Sequence, residues 1–375
     1  VDLTQVMAGP FCTLLLADLG ADVIKVEAPG SGDLSRSMGG QALRLKGNDN
    51  ALFLALNRNK RSIELDLKAE QDLERFGALV RTADVLVENF RPGVTSRLGI
   101  DYDTLSALHP GLVYASISGF GQTGPYAERP GFDLIAQAMA GILSVTGTAG
   151  GDPVKCGVPI SDLAAGLYGA VGVLAALAAR ARTGVGQHVE TSLFEAALGL
   201  SVWETTEYWT TGRAPGPLGS AHRLNAPYQA FRTADGSLVL AALTPVQWTR
   251  LCEVLESAEL VADPRFATNE GRMEHLPELV SEMERALSRE TTDVWVGRLL
   301  EAGVPSGPLK DYAQVFTDPH THARDMVEEV DHPVEGRIKT LGFPLKMSAT
   351  PLRVTRPPPL LGQHTEEILR ELEGA

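Results

Sequence analysis

The first third of the chain keeps switching between two hydrophobic periods, and that alternation limits its fold more than any other feature. VDLTQ (1–5) reads as the end of a strand, and GPFCTLLLADLG (9–20) as a helix apolar on most faces. DVIKVE (22–27) is strand-like, SIELDL (62–67) alternates strictly, and LKAEQDLERFGALVRTA (67–83) has the spacing of an amphipathic helix. DVLVEN (84–89) and LVYASIS (112–118) add further strands. Strands alternating with helices predict an α/β domain built on a mostly parallel, doubly wound, Rossmann-like sheet covered on both faces.

In such sheets ligands bind beyond the carboxyl ends of the strands. Here those ends read QVMAGP (5–10), EAPGSGD (27–33), ENFRPG (88–93) and SGFGQTGP (118–125). Glycine and proline end strands anyway, so any one of these loops says little. Four at one sheet edge point to a place where a ligand approaches backbone N–H groups.

A different texture follows Trp209. TGRAPGPLGSAHRLNAP (211–227) is rich in turn formers and has no period, and YQAFRTADGSLVLAAL (228–243) reads as a hairpin turning at Asp235-Gly236. Helical patterns follow near 246–257, 270–287 and 291–302. The expected organisation is a large domain over 1–210, a linker with a glycine-containing loop over 211–224, and a smaller α+β domain over 225–310. Residues 311–375 would return to the large domain and end in a short helix.

Several function classes are disfavoured. A net charge of -14 opposes binding to nucleic acid or anionic membranes. Cys12, Cys156 and Cys252 lie far apart with no CxxC, which argues against a zinc site or disulfide framework and fits a reducing cytoplasm. Cys12 and Cys252 fall in apolar helical patterns and are expected to pack there. No Walker A, GxGxxG after the first strand, GxSxG or HExxH occurs, and no metal site is expected. His188, in the alternating GQHVETSL, reads as structural. No segment reads as a signal peptide or bilayer span; the glycine-rich run after Asp162 comes closest.

That run is PISDLAAGLYGAVGVLAALAARARTG (159–184), in which a single acid, Asp162, precedes residues that stay small and apolar until Arg180. Gly166, Gly169 and Gly172 would give a narrow face for close packing. Arg180 and Arg182 would complement the carboxyl end of the dipole, with Gly184 as the stop. Asp162 has two readings. As an N-cap it would only start the helix. As a carboxylate kept ionised by the helix N-terminus, it could attack an activated acyl group such as a thioester. Catalysis would then require holding the displaced thiol and excluding water.

Several long motifs, in order, resemble the family III CoA-transferases. They are residues 3–33, NRNKRSIELDLK, LVENFRPG, SISGFGQTGP, GFDLIAQAMAG and PISDLAAGLYGA, then GVPSGPL (303–309) and LGQHTEEIL (361–369). The resemblance implies an enzyme that moves CoA from an acyl-CoA donor to a carboxylic acid. Asp162 would carry first the acyl group and then CoA, as mixed anhydride and thioester. No permanent cofactor is implied, CoA being a substrate. CoA would contact Gln5, Val6, Met7, Ala8, Leu65, Asp66, Lys68, Asn89, Phe90, Arg91 and Arg97. Lys68, Arg91 and Arg97 also make chemical sense as a local cationic patch on an acidic protein.

The resemblance further implies an interlocked homodimer and brings Phe132 and Asp133 to the active site, while the glycine-containing segment around Gly216 and Gly219 could supply backbone donors and a covering loop there. Asp133 could equally be a helix N-cap. Some transferases carry Arg where this chain has Ala28, so the phosphate contact there must be weaker or come from elsewhere. The related 2-methylacyl-CoA racemases place His immediately before the Asp of PGFDLIAQA, as one of two bases flanking the α-carbon. Phe132 cannot titrate, which favours transfer over racemisation. A CoA-binding protein without chemistry is the other alternative. Trp203, Tyr208, Trp209 and Phe132 are candidates for an apolar acyl pocket.

Overall fold

In a computed structural model of the chain, residues 1–47 and 49–374 are described. They divide into two compact units, the first comprising Val1–Leu143, Lys155–Ala214 and Pro319–Ala375, the second Ser144–Val154 and Pro215–Asp318.

The first unit is mixed α/β and built on parallel strands. These are β1 (Val23–Glu27), β2 (Lys60–Glu64), β3 (Val85–Glu88), β4 (Val113–Ser118) and β5 (His188–Ser192), and every pairing among them is parallel. The chain start completes the sheet. Asp2 bridges both Lys25 and Val87, with Asp2 N on Ile24 O at 2.8 Å and Leu3 N on Val87 O at 2.9 Å. Residues 1–3 therefore lie between β1 and β3, and the order is β2, β1, residues 1–3, β3, β4, β5.

Alternate residues of these strands enter two cores. Val87, Val113, Ala115 and Ile117 pack with Ala8, Cys12, Ala165 and Val173, whereas Leu86, Leu112 and Tyr114 pack with Phe76, Leu79 and Val80. β2 begins and ends earlier than the alternation in 62–67 suggested. The polar residue Lys60 joins the strand because its buried ammonium finds Asp2, Thr13, Asn57 and the Pro10 carbonyl at 2.8–3.1 Å.

The glycines of the long helix Ile160–Thr183 do what their spacing implied. A Cβ on Gly166 would lie 2.7 Å from the Ala8 carbonyl, one on Gly169 2.9 Å from Ile117 Cδ1, and one on Gly172 2.6 Å from Val189 Cγ1. The helix thus presses on both the helix Ala8–Asp18 and the sheet. It ends with Gly184 at φ +73°, its N–H on the Arg180 carbonyl at 2.8 Å. By length and composition alone this helix could cross a bilayer, which corrects the expectation that no segment qualifies.

The second unit holds the antiparallel strands β6 (Tyr228–Arg232), β7 (Ser237–Ala241) and β8 (Ser306–Pro308), with the β6–β7 turn at Thr233–Gly236. Helices Pro245–Val254, Leu276–Leu287 and Thr292–Glu301 cover them, around Phe231, Leu240, Trp248, Leu279 and Trp295. The helix expected over 270–287 is two, Asn269–Glu274 and Leu276–Leu287. Pro277 has no N–H to continue the first and stands in the opening turn of the second. Ser144–Val154, which the sequence placed in the large domain, belongs here, held where Gly219 N meets Gly147 O at 2.7 Å. Residues 311–318 also fall in this unit, and the return begins at Pro319.

Candidate active site

At the carboxyl edge of the parallel strands the chain leaves a cleft of about 320 Å³, within the usual range for a small-molecule site. The segments following residues 1–3, β3, β4 and β5 all contribute to it, through Gln5–Ala8, Asn89–Pro92, Ser118–Gly119 and Leu193. Leu34, Arg129–Phe132 and Asp162 complete the wall. A larger cavity, about 740 Å³, opens at the opposite edge among Leu16, Val23, Leu79, Val173 and Leu177. None of the catalytic or CoA-contact candidates from the sequence lines it, and the smaller cleft is the candidate site.

Two loops are fixed by one side chain. Asn89 accepts the Gln5 amide and donates to the Gln5 carbonyl, both at 2.8 Å. Next to Gln5, Val6 holds φ at +70°, a strained value for a β-branched residue. Its N–H is fixed at 3.0 Å on Asp33, which is paired at 2.9 Å with the buried Lys25 ammonium. The other wall depends on two glycines: a Cβ on Gly119 would lie 2.7 Å from Gly131 Cα, and one on Gly131 2.5 Å from Gly119 Cα. Only bare backbone lets the loop after β4 meet the one that carries Phe132 and Asp133.

Asp162 is not the helix cap that one reading made it. The helix starts at Ile160 with Pro159 in the cap position, so Asp162 lies inside the first turn. The capping acceptor comes from elsewhere. Asp133 Oδ1 takes the amides of Ser161 at 2.9 Å and Asp162 at 3.4 Å. Nor does Asp133 cap its own helix, where Phe132 holds that position. Its second oxygen accepts from Gln137 Nε2 at 2.7 Å, and Gln137 Oε1 accepts the Cys156 amide at 2.9 Å. Gln137, buried and missed in the sequence, could have been noticed as the i+4 partner of an acid on a helix.

The charge of Asp162 follows from this arrangement. Burial first, and the neighbouring Asp133 second, push its carboxyl up to about 7. The sequence reading had the helix N-terminus keeping it ionised, but Asp133 takes up those amides. Among the described residues no cation or hydrogen-bond donor compensates Asp162. It is a partly buried acid facing a cleft and titrating near neutrality, the kind of group found at reactive centres.

Of the other residues singled out, Gln5, Val6, Met7, Ala8, Asn89, Phe90, Arg91 and Phe132 line the cleft with Asp162. Leu65, Asp66, Lys68 and Arg97 do not. Leu65 is 2% exposed in the core below β2, so its side chain is not offered to a ligand. Asp66 closes a local turn by accepting the Lys68 amide at 3.0 Å. Lys68, Arg91 and Arg97 are exposed and unpaired among the described residues. Gly216 and Gly219 belong to the second unit, Gly219 at φ +64°. Trp203, Tyr208 and Trp209 are exposed and none lines the cleft, whereas Phe132, at 65% exposure, does. Arg129, which the sequence reading passed over, lies at the rim with its guanidinium 3.9 Å above the Tyr126 ring.

The model of CoA-transferase family III matches residues 1–365. The chain belongs to this family. An acyl-CoA transferase of Fusarium pseudograminearum is 42% identical over 99% of this chain and 83% of its own length. A succinate–glutarate CoA-transferase of Agrobacterium fabrum is 41% identical over 100% of this chain and 94% of its own. The crystal structure of a CaiB/BaiF family protein from Brucella suis superposes with a TM-score of 0.88 at 39% identity, covering 99% and 97% of the two chains. The protein is thus a CoA-transferase acting on CoA thioesters and carboxylic acids.

Proposed function

We propose that Asp162 is the covalent carrier of the transfer and that the cleft at the strand ends is the CoA site. The observation that carries this reading is a single uncompensated carboxyl at the wall of that cleft, poised near neutral pH. Ionised, it attacks the thioester carbon. The C–S bond breaks, CoA leaves as thiolate, and an aspartyl–acyl mixed anhydride forms. The thiolate then attacks the aspartyl carbonyl and releases the donor acid, leaving an aspartyl–CoA thioester. The acceptor carboxylate repeats the sequence in reverse, and the side chain returns to a carboxylate.

Thiolate and carboxylate are exchanged at every step, so no water or metal enters the balance. The exposed, unpaired Arg91 gives the cleft a cation for the phosphates of CoA, as Arg129 does at the rim. With Phe132 beside Asp162 in the wall, the position that would need a second base for racemisation holds a phenyl ring. The strand order supports the Rossmann-like reading of the first unit. The Agrobacterium relative is named for succinate and glutarate, so succinyl-CoA with a short dicarboxylic acid is the substrate pair of this reading.

A homodimer, interlocked as the resemblance implies, fits the exposed apolar side chains of Leu167, Tyr168, Val171, Leu174 and Val202. A sedimentation mass of one chain at micromolar concentration would overturn it. The chain's three cysteines are free, which fits a reducing compartment such as the cytoplasm.

The covalent step is tested by quenching the enzyme in mid-turnover with succinyl-CoA and weighing its peptides. The peptide containing Asp162 should carry added mass, hydroxylamine should remove it, and Asp162→Asn should abolish both the adduct and turnover. Turnover by Asp162→Asn at even a tenth of the parent rate would overturn the assignment.

A further inference from the structure

Glu88 is a buried acid that the mechanism above does not use. It ends β3 at 3% exposure, and among the described residues no cation pairs with it. Burial raises its carboxyl above the ordinary range, opposed by hydrogen bonds from Ser116 and the Phe90 amide. Phe90 N donates to Oε2 at 2.9 Å. Ser116, its register partner on β4, lies 2.9 Å from His188 Nε2. The His188 ring is stacked at 5.3 Å on Tyr102 and set edge-on at 5.5 Å to Tyr114.

An asparagine or serine could close the same two-residue turn without burying a carboxyl. A glutamate reaches further, from the turn to the next strand. It accepts the amide of Phe90, the second residue of the loop that follows the strand. The loop it fixes runs directly into the cleft, and through the reciprocal Asn89–Gln5 pair it also fixes the loop after residue 3.

We propose that Glu88 is a positioning residue for CoA-thioester binding: braced by Ser116 and His188, it holds Asn89–Pro92 in the shape that forms the cleft wall. The proposal rests on the reading of that cleft as the CoA site. Nothing in it requires the charge of Glu88. An amide in its place can accept from Phe90 and donate to Ser116, whose hydroxyl then donates to His188.

The test uses the full chain, with steady-state kinetics in succinyl-CoA and equilibrium binding of free CoA. Glu88→Ala should raise KM and the CoA Kd about tenfold, or about 1.4 kcal/mol, with kcat within about threefold. Glu88→Gln should return both to within about threefold of the parent, and Ser116→Ala should raise KM about threefold. An unchanged KM in Glu88→Ala, or Glu88→Gln as impaired as Glu88→Ala, overturns the proposal. If Glu88→Ala does not fold, an unchanged KM in Ser116→Ala overturns it. Arg91→Ala separates the two readings. If it leaves CoA binding intact, the cleft assignment falls and this proposal with it; if it weakens binding and Glu88→Ala does not, only Glu88 falls.

Discussion

The two halves of the parallel sheet treat buried carboxylates in opposite ways. On the side of β1 and β2, Asp2, Glu27 and Asp33 are met by Lys60 at 3.0 Å, Arg36 at 2.8 Å and Lys25 at 2.9 Å. Burial alone would raise these acids, yet the cations and donors around them hold all three below the ordinary carboxylate range. On the side of β3 to β5, Glu88 and Asp162 have no cation, and burial wins. One set is matched with cations and supports the strand ends; the other is left without a cation, Asp162 in the cleft wall and Glu88 at the strand end that leads into it. An acid without a counter-ion costs stability, so its presence points to work other than holding the fold.

The largest effect that would break this contrast belongs to the paired side. Asp2→Ala strands Lys60, whose ammonium is already drawn down to about 8 by burial, and deprives Lys25 of a nearby charge. Loss of one partner of a buried ion pair should lower the unfolding free energy by about 3–5 kcal/mol. Urea unfolding measures it. A loss below about 1 kcal/mol would mean that the paired acids are as expendable as surface ones.

That contrast was only half legible in the sequence. The periods of 22–27, 84–89 and 112–118 located β1, β3 and β4 because those strands obey simple patterning. The paired lysines did not announce themselves, since Lys25 and Lys60 look like solvent-facing charges until the fold supplies their partners. Asp162 stood out as one acid before an apolar run, but of its two readings the cap fails: Asp133, 29 positions earlier in sequence, does the capping. Gly119 and Gly131 were each visible as loop glycines, yet only their contact shows why neither can carry a Cβ. Pairings distant in sequence are what one chain without its fold cannot show.

The unpaired side gives a smaller effect of opposite sign with pH. Asp162 holds its proton more tightly folded, near 7, than unfolded, near 3.9. Its favourable contribution is present below about pH 4 and is lost as pH rises towards 7. The paired acids behave in reverse, losing theirs as pH falls through the ordinary carboxylate range and below. Asp162→Asn should therefore stabilise the protein at pH 8 by about 1–2 kcal/mol, solvent at the open face of this partly buried group screening the rest, and change little at pH 4. Thermal melts at both pH values decide it. A variant less stable than the parent at pH 8 would show that Asp162 is compensated after all.

The smallest effect sharpens the contrast within the cleft. Asp133 raises Asp162 only as the second cause after burial, so removing its charge should lower the acid limb of the kcat/KM profile by about 0.5–1 pH unit. Asp133→Asn also frustrates the relay behind it. The relay needs two acceptor oxygens at 133, one for the Ser161 amide and one for Gln137, while Gln137 must still accept from Cys156. An amide at 133 breaks one of these links, at a cost of about 1 kcal/mol. Adding Gln137→Glu supplies an acceptor on both sides and should recover that stability. The restored charge then lies one residue farther along the relay from Asp162, so the acid limb should stay below the parent's. Recovery of stability together with the parent's pH limb would mean that the charge acts from anywhere in the relay, and that the position of Asp133 beside Asp162 is incidental.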